Sequence, residues 1–182
     1  MEDKYLKITT PLGIAKWPWL TKADTKFDAN GVFKTDLLLS SSDTKSIASQ
    51  IKAFYEKHFP NSKGRMPYKK DVDDTGKETG NYIFKFKTKN KPAVFDASGK
   101  PMKDINVFGG SKIKVSATAA PYSAAGNKGV TLYLNAVQVI ELVTGDTGSS
   151  TSFGFNAEDG YTHEAGETES VEENTESSAD DF

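Results

Sequence analysis

The chain of 182 residues contains no cysteine. A disulfide framework, a thiolate nucleophile and a thiolate zinc site are excluded with it. Histidine occurs only at His58, near the end of a helical stretch, and at His163 in the C-terminal segment, so no His-centred base or zinc cluster is available. No apolar run approaches the roughly eighteen residues that a membrane-crossing helix needs. The opening MEDKYLKITT carries acidic residues and no long apolar stretch, and is expected not to act as a signal peptide. Walker loop, dinucleotide fingerprint and nucleophile elbow are all missing. These gaps point away from catalysis and cofactors and toward a soluble cytoplasmic protein.

One further absence is local. From Glu158 to Phe182 there is no lysine or arginine, while ten carboxylates stand there and the chain closes Asp180-Asp181-Phe182. The whole chain has 23 basic and 25 acidic residues, so 23 face 15 upstream of Glu158, a net of +8. A basic body joined to an acidic tail is a pattern of nucleic-acid binders that carry their own competitor. A solubilising appendage is the plainer explanation of such a tail. The terminal Phe182 sits poorly with it, because an exposed aromatic end promotes aggregation unless it docks.

Alternation and punctuation organise the body. Residues 5–20 read as one or two strands broken near Pro11-Leu12-Gly13, with Trp17 and Trp19 on one side, followed by a loop to Asn30-Gly31. Residues 31–39 form a strand with Phe33 and Leu37 on one face and Lys34 and Asp36 on the other. Ser40 to Asp43 is helix-start chemistry, and Ile47, Ile51, Phe54 and Tyr55 give an apolar stripe over about 43–59. Residues 61–80 read as a long mobile charged loop. Residues 81–90 alternate cleanly, Tyr82, Phe84 and Phe86 against Lys85, Lys87 and Lys89. A turn at 97–100 is flanked by short strands at 92–95 and 103–108. A strand at 111–117 shows Lys112 and Lys114 on one face, a loop covers 121–128, and a long strand covers 129–143. Thr144 to Ser152 is linker-like, and too little apolar surface follows for a fold. The expected organisation is a mainly β domain over 1–143, a linker over 144–157 and a disordered acidic tail over 158–182. Short strands, one helix and glycine corners indicate a small β-barrel or sandwich.

The chemistry-bearing groups are three basic clusters: Lys85/Lys87/Lys89, Lys112/Lys114 and Lys63/Arg65/Lys69/Lys70. Solvated surface is the ordinary reading of one such row. Two rows adjacent in a sheet would instead make a positive groove for phosphates, with rings nearby for bases. Tyr68, Tyr122 and one of the two tryptophans are the rings expected outside the core, since they sit in loops or at a strand end, and Trp17 is the tryptophan taken as a DNA-binding candidate. The carboxylates Asp71, Asp73, Asp74 and Glu78 invite comparison with a hard-cation site, but they lack the spacing of a calcium loop.

The chain resembles the T-seven-like bacteriophage single-stranded DNA-binding proteins. The matching stretches are residues 31–37 (GVFKTDL), 84–87 (FKFK), 98–104 (SGKPMKD), 109–115 (GGSKIKV), Pro121-Tyr122, 139–142 (VIEL) and the acidic end with Phe182. The resemblance implies an oligonucleotide/oligosaccharide-binding (OB) barrel that coats single-stranded DNA in phage replication and recombination and anneals strands. It implies binding by Lys85, Lys87, Lys112, Lys114, Tyr122 and Lys63 or Arg65. It also implies a tail that competes for the groove and, through Asp180, Asp181 and Phe182, docks a DNA polymerase or helicase/primase, and a homodimer. The rivals are a protein-interaction module whose tail alone binds a partner, and a metal-dependent nuclease on the Asp71–Glu78 stretch.

Overall fold

Proline withholds a ladder hydrogen bond, and Pro11 divides the N-terminal apolar stretch into β1 (Leu6–Thr9) and β2 (Gly13–Asp24). The computed structural model describes residues 3–144, 156 and 158–160. Asp180, Asp181, Phe182 and nearly all of the linker and tail fall outside them. The chain divides into two units, Met1–Gly145 and Asp146–Phe182, and every element below belongs to the first.

β2 runs on through residues 21–24, so the loop expected from Thr21 begins only after Asp24. β3 (Val32–Leu39) follows, turning Thr35, Leu37 and Leu39 inward. The Ser40 hydroxyl accepts the Asp43 N–H at 3.2 Å and caps α1 (Ser41–His58), whose buried stripe is Ile47, Ile51, Phe54 and Tyr55.

The mobile loop expected over 61–80 is instead largely a hairpin of β4 (Tyr68–Val72) and β5 (Glu78–Thr88). Its turn is built by Asp73, whose Oδ1 accepts the N–H groups of Thr75 and Lys77, and by Gly76 at φ 83°. Four of the five β4 residues remain at least partly exposed, so the apolar alternation that announces a strand is missing.

β6 (Ala93–Phe95) is short, and residues 103–108 form no strand. The loop expected over 121–128 is a continuous hairpin of β7 (Lys112–Ala124) and β8 (Asn127–Glu141). Ala125 (φ 49°) and Gly126 (φ 79°) are both left-handed, as a two-residue turn matched to strand twist requires.

Hydrogen-bonded neighbours run β7-β2-β3-β5-β8 and return to β7, closing a ring of five strands. All pairings around it are antiparallel except β5–β8, a single parallel pair at Lys87 and Tyr133. β1 adds outside β7, β4 outside β5, and β6 pairs with β8. The protein is mainly β, a small OB-like barrel with one helix, as expected. Ile51 and Tyr55 of α1 share one core with Phe84, Val115 and Leu132 of the ring.

Ile51 has no solvent exposure. Ile51→Ala is therefore expected to destabilise the domain by about 2–5 kcal/mol. Urea unfolding should show a lower midpoint at unchanged slope.

Candidate nucleic-acid interface

Residues paired across a ladder project to the same side, so the outward positions of neighbouring strands fall into rows. One row is Lys16, Asp36 and Lys85 across β2, β3 and β5. The next is Trp19, Lys34, Lys87 and Tyr133, which carries the row across to β8. The inward neighbours Phe84 and Phe86 hold these rows in phase.

An open cavity of about 820 Å³ lies over this face. Part of its lining is the strap at 65–67, which links the two sides of the seam between β5 and β8. The Arg65 N–H donates to Lys128 O at 2.8 Å and Arg65 O accepts the Val130 N–H at 3.1 Å. On the other side Pro67 O accepts the Lys85 N–H at 2.9 Å. Gly129 makes this approach feasible, since a Cβ there would stand 2.6 Å from Arg65 O and 2.7 Å from the Tyr122 ring.

Charge in the cavity is one-sided. Lys34, Arg65, Lys69, Lys85 and Lys87 line it, against the single carboxylate Asp36. Lys34 is paired with Asp24 at 2.6 Å, and that contact, foremost, holds the Asp24 carboxyl below its ordinary range. Among the described residues, Arg65, Lys69, Lys85 and Lys87 have no carboxylate within ion-pair distance. Asp36 is half-buried, and burial raises its pKa despite nearby Lys85, Lys69, Lys34 and Lys16.

Four rings join these charges: Trp17, Tyr68, Tyr122 and Tyr133. Tyr68 packs beside Phe84 with centroids 5.0 Å apart, and burial raises its phenol pKa. Tyr133 is 46% exposed. Trp17 is 76% exposed and lies in a β-bulge, where β2 advances three residues from Lys16 to Trp19 while β3 advances two. Its φ of 50° is left-handed, a strain of order 1–3 kcal/mol for a bulky residue. Trp17 and Trp19 therefore do not share the regular pleat expected for them.

Of the nine body residues expected at the interface, Trp17, Arg65, Tyr68, Lys85, Lys87 and Tyr122 line this cavity, and Lys63, Lys112 and Lys114 do not. Lys112 pairs with Glu141 at 2.9 Å, and Lys114 lies opposite Gln138. Tyr68 and Tyr122 stand on β4 and β7 rather than in loops. Lys34 and Tyr133 were missed, although both occupy outward phases legible in the alternation of their strands.

Asp71, Asp73 and Glu78 have other work, Asp73 in the β4–β5 turn. Asp71 accepts from Thr79 Oγ1 at 2.8 Å and pairs with Lys16 at 3.2 Å, and the threonine bond is the foremost reason its carboxyl is held below the ordinary range. Glu78 pairs with Lys70 at 3.0 Å. Among the described residues, no group of three or more His, Cys, Asp and Glu side chains is arranged to hold a metal ion. Nor is any described helix long and apolar enough to cross a membrane.

A raised folded-state pKa means that the native state binds the Asp36 proton more tightly than the unfolded chain does. The penalty for its charge is complete above that raised value and fades as pH falls through it. Asp36→Asn should therefore stabilise the domain at neutral pH, with the gain shrinking in acid. Thermal unfolding of both chains across a pH series checks this, and an equal difference at every pH would contradict it.

The family model of the single-stranded DNA-binding protein of Enterobacter phage Enc34 matches residues 15–171. Among solved structures, gp2.5, a single-stranded DNA-binding protein encoded by bacteriophage T7, aligns with a TM-score of 0.64 and 27% identity, covering 88% of this chain and 100% of that one. The C-terminally truncated single-stranded DNA-binding protein of bacteriophage Enc34 aligns at 0.62 and 15% identity, over 76% of this chain and 86% of its own. The Enc34 protein in complex with single-stranded DNA gives 0.61 and 16%, with the same coverage. The two Enc34 likenesses speak to the fold. No curated protein sequence matches the chain.

Proposed function

The chain belongs to the phage single-stranded DNA-binding protein family typified by that of Enterobacter phage Enc34, and we propose that it binds single-stranded DNA, without catalysis, in the cavity over β3 and β5. The observation that carries this reading is the concentration on one open face of the barrel of four partly exposed rings and four cations that have no ion-pair partner among the described residues. Arg65, Lys69, Lys85 and Lys87 displace counterions condensed on the phosphates, which yields affinity with little sequence preference. Trp17, Tyr68, Tyr122 and Tyr133 offer faces to bases, at about 1–3 kcal/mol per stacked base. Lys63, Lys112 and Lys114 would act as a flanking positive field.

In this reading the protein coats single strands in the host cytoplasm during phage DNA replication and recombination, promotes their annealing, and works as a homodimer. The acidic segment 158–182 competes with DNA for the groove. When a strand displaces it, Asp180, Asp181 and Phe182 become free to dock a DNA polymerase or helicase/primase. The charge segregation of the sequence, +8 upstream of ten carboxylates, supports that cycle.

Fluorescence anisotropy with oligo-dT tests the groove. Lys85→Glu with Lys87→Glu should abolish binding at moderate salt while circular dichroism stays native. Single neutral substitutions should flatten the dependence of log affinity on log salt by about 0.7 for each phosphate that is no longer neutralised. Lys112→Glu should cost less than Lys85→Glu; the reverse order would move the path to the β7 face. If the wild-type chain retains no oligonucleotide at all, a module whose tail alone binds a protein becomes the better account.

Removal of residues 158–182 tests the competition. Binding should tighten at low salt, and the difference should close as salt screens the tail. Unchanged or weaker binding after truncation would refute it.

A further inference from the structure

Resting on the proposed function, we infer that the DNA path does not end at Trp17 but continues into a second, separate subsite that stacks a base between Trp19 and Phe108. Trp17 lines two cavities, the cationic one above and another of about 470 Å³. The second is walled by Trp19 and Phe108, which are 40% and 42% exposed.

This is a built site rather than a chance hollow. The turn that carries Phe108 is fastened to β2, with the Ala15 N–H donating to Ser111 O at 2.8 Å and Ala15 O accepting the Gly110 N–H at 2.9 Å. The Phe108 N–H donates to Val143 O at 3.2 Å, which ties the turn to the chain just after β8. Thr21 Oγ1 donates to Ile105 O at 3.0 Å, a further tie between β2 and the segment that leads into the turn. Each ring is thus presented by backbone that is already tied down, so little ordering entropy opposes a stack.

The occupant follows from continuity and charge. A strand that stacks on Trp17 from the cationic side has its next nucleotide at the mouth of the second cavity. No carboxylate lines that cavity, and its single charged group is Lys22, placed to meet a phosphate. The bulge supplies the geometry, because it turns Trp17 out of the pleat into the wall shared by both spaces.

The two tryptophans are the only ones in the chain, so emission excited at the red edge, beyond tyrosine absorption, reports on this junction alone. In a Trp17→Phe chain the signal belongs to Trp19. Oligo-dT of about twelve nucleotides should quench that emission, whereas one of about four, enough only for the main groove, should bind and leave it unchanged. Trp19→Ala with Phe108→Ala should weaken the longer oligonucleotide roughly five- to 150-fold and spare the shorter one. Trp19→Phe should restore most of the loss. A Trp19 that stays silent while anisotropy shows the longer oligonucleotide bound would overturn the subsite and leave the groove standing. So would equal weakening at both lengths. A wild-type chain that binds neither length would overturn the function on which the subsite rests.

Discussion

The binding face depends on how the ring of strands is closed. β5 and β8 meet in a single parallel pair, and one pair cannot seal a barrel. The strap at 65–67 does so by hydrogen bonding to β8 through Arg65 and to β5 through Pro67. It is itself anchored to the helix, where the Tyr55 hydroxyl bonds Ser62 at 2.9 Å and the ring leaves no room for a side chain on Gly64. Core packing of α1, closure of the seam and position of Arg65 are consequently one constraint. A change that loosens Tyr55 reaches the cavity through three residues of backbone.

The same closure decides where charge can go. A strand that buries Phe84 and Phe86 must turn Lys85 and Lys87 to the other side, and the register sets both beside outward positions of β3. Bringing together four cations with no ion-pair partner among the described residues opposes folding through mutual repulsion. The repulsion is modest because the groups face water, where two unit charges 4 Å apart interact by only about 1 kcal/mol. A polyanion entering the cavity removes that repulsion and releases its own counterions. Asp36 tempers the field of the lysines around it, and burial disfavours its charge.

Much of this was legible in the residues. Clean alternation fixed β3 and β5 together with the outward lysines, and the stripe Ile47, Ile51, Phe54, Tyr55 fixed α1. The failures share a physical cause. β4 is charged on most of its length, and the β7–β8 hairpin crosses Pro121 and Gly129, so composition argued for loops while backbone pairing made strands. Pairing is a long-range property: Tyr68 is ordered by Phe84 and Tyr122 by Gly129, neither of which its local sequence reveals. The separation of Lys112 and Lys114 from Lys85 and Lys87 is likewise a matter of register. Rows on two strands merge only if their outward phases meet across a ladder, and β7 pairs with β8, β2 and β1 instead of β5.

Trp17 is the residue for which no local reading suffices. A bulky side chain at positive φ, directly before a proline, opposes the usual preferences of both positions. Such an arrangement persists only when surrounding structure over-determines it, and here the ladder over Ile14–Lys16 on one flank and the Trp19–Lys34 pair on the other hold it. Packing cannot be the compensation, since the ring stands mostly in water. A regular pleat would have set the indole into one row beside Lys34 or turned it inward against Thr35. The bulge does neither and leaves a large flat apolar face that lines both cavities, where a base stacked on the proposed path would pass from the first to the second.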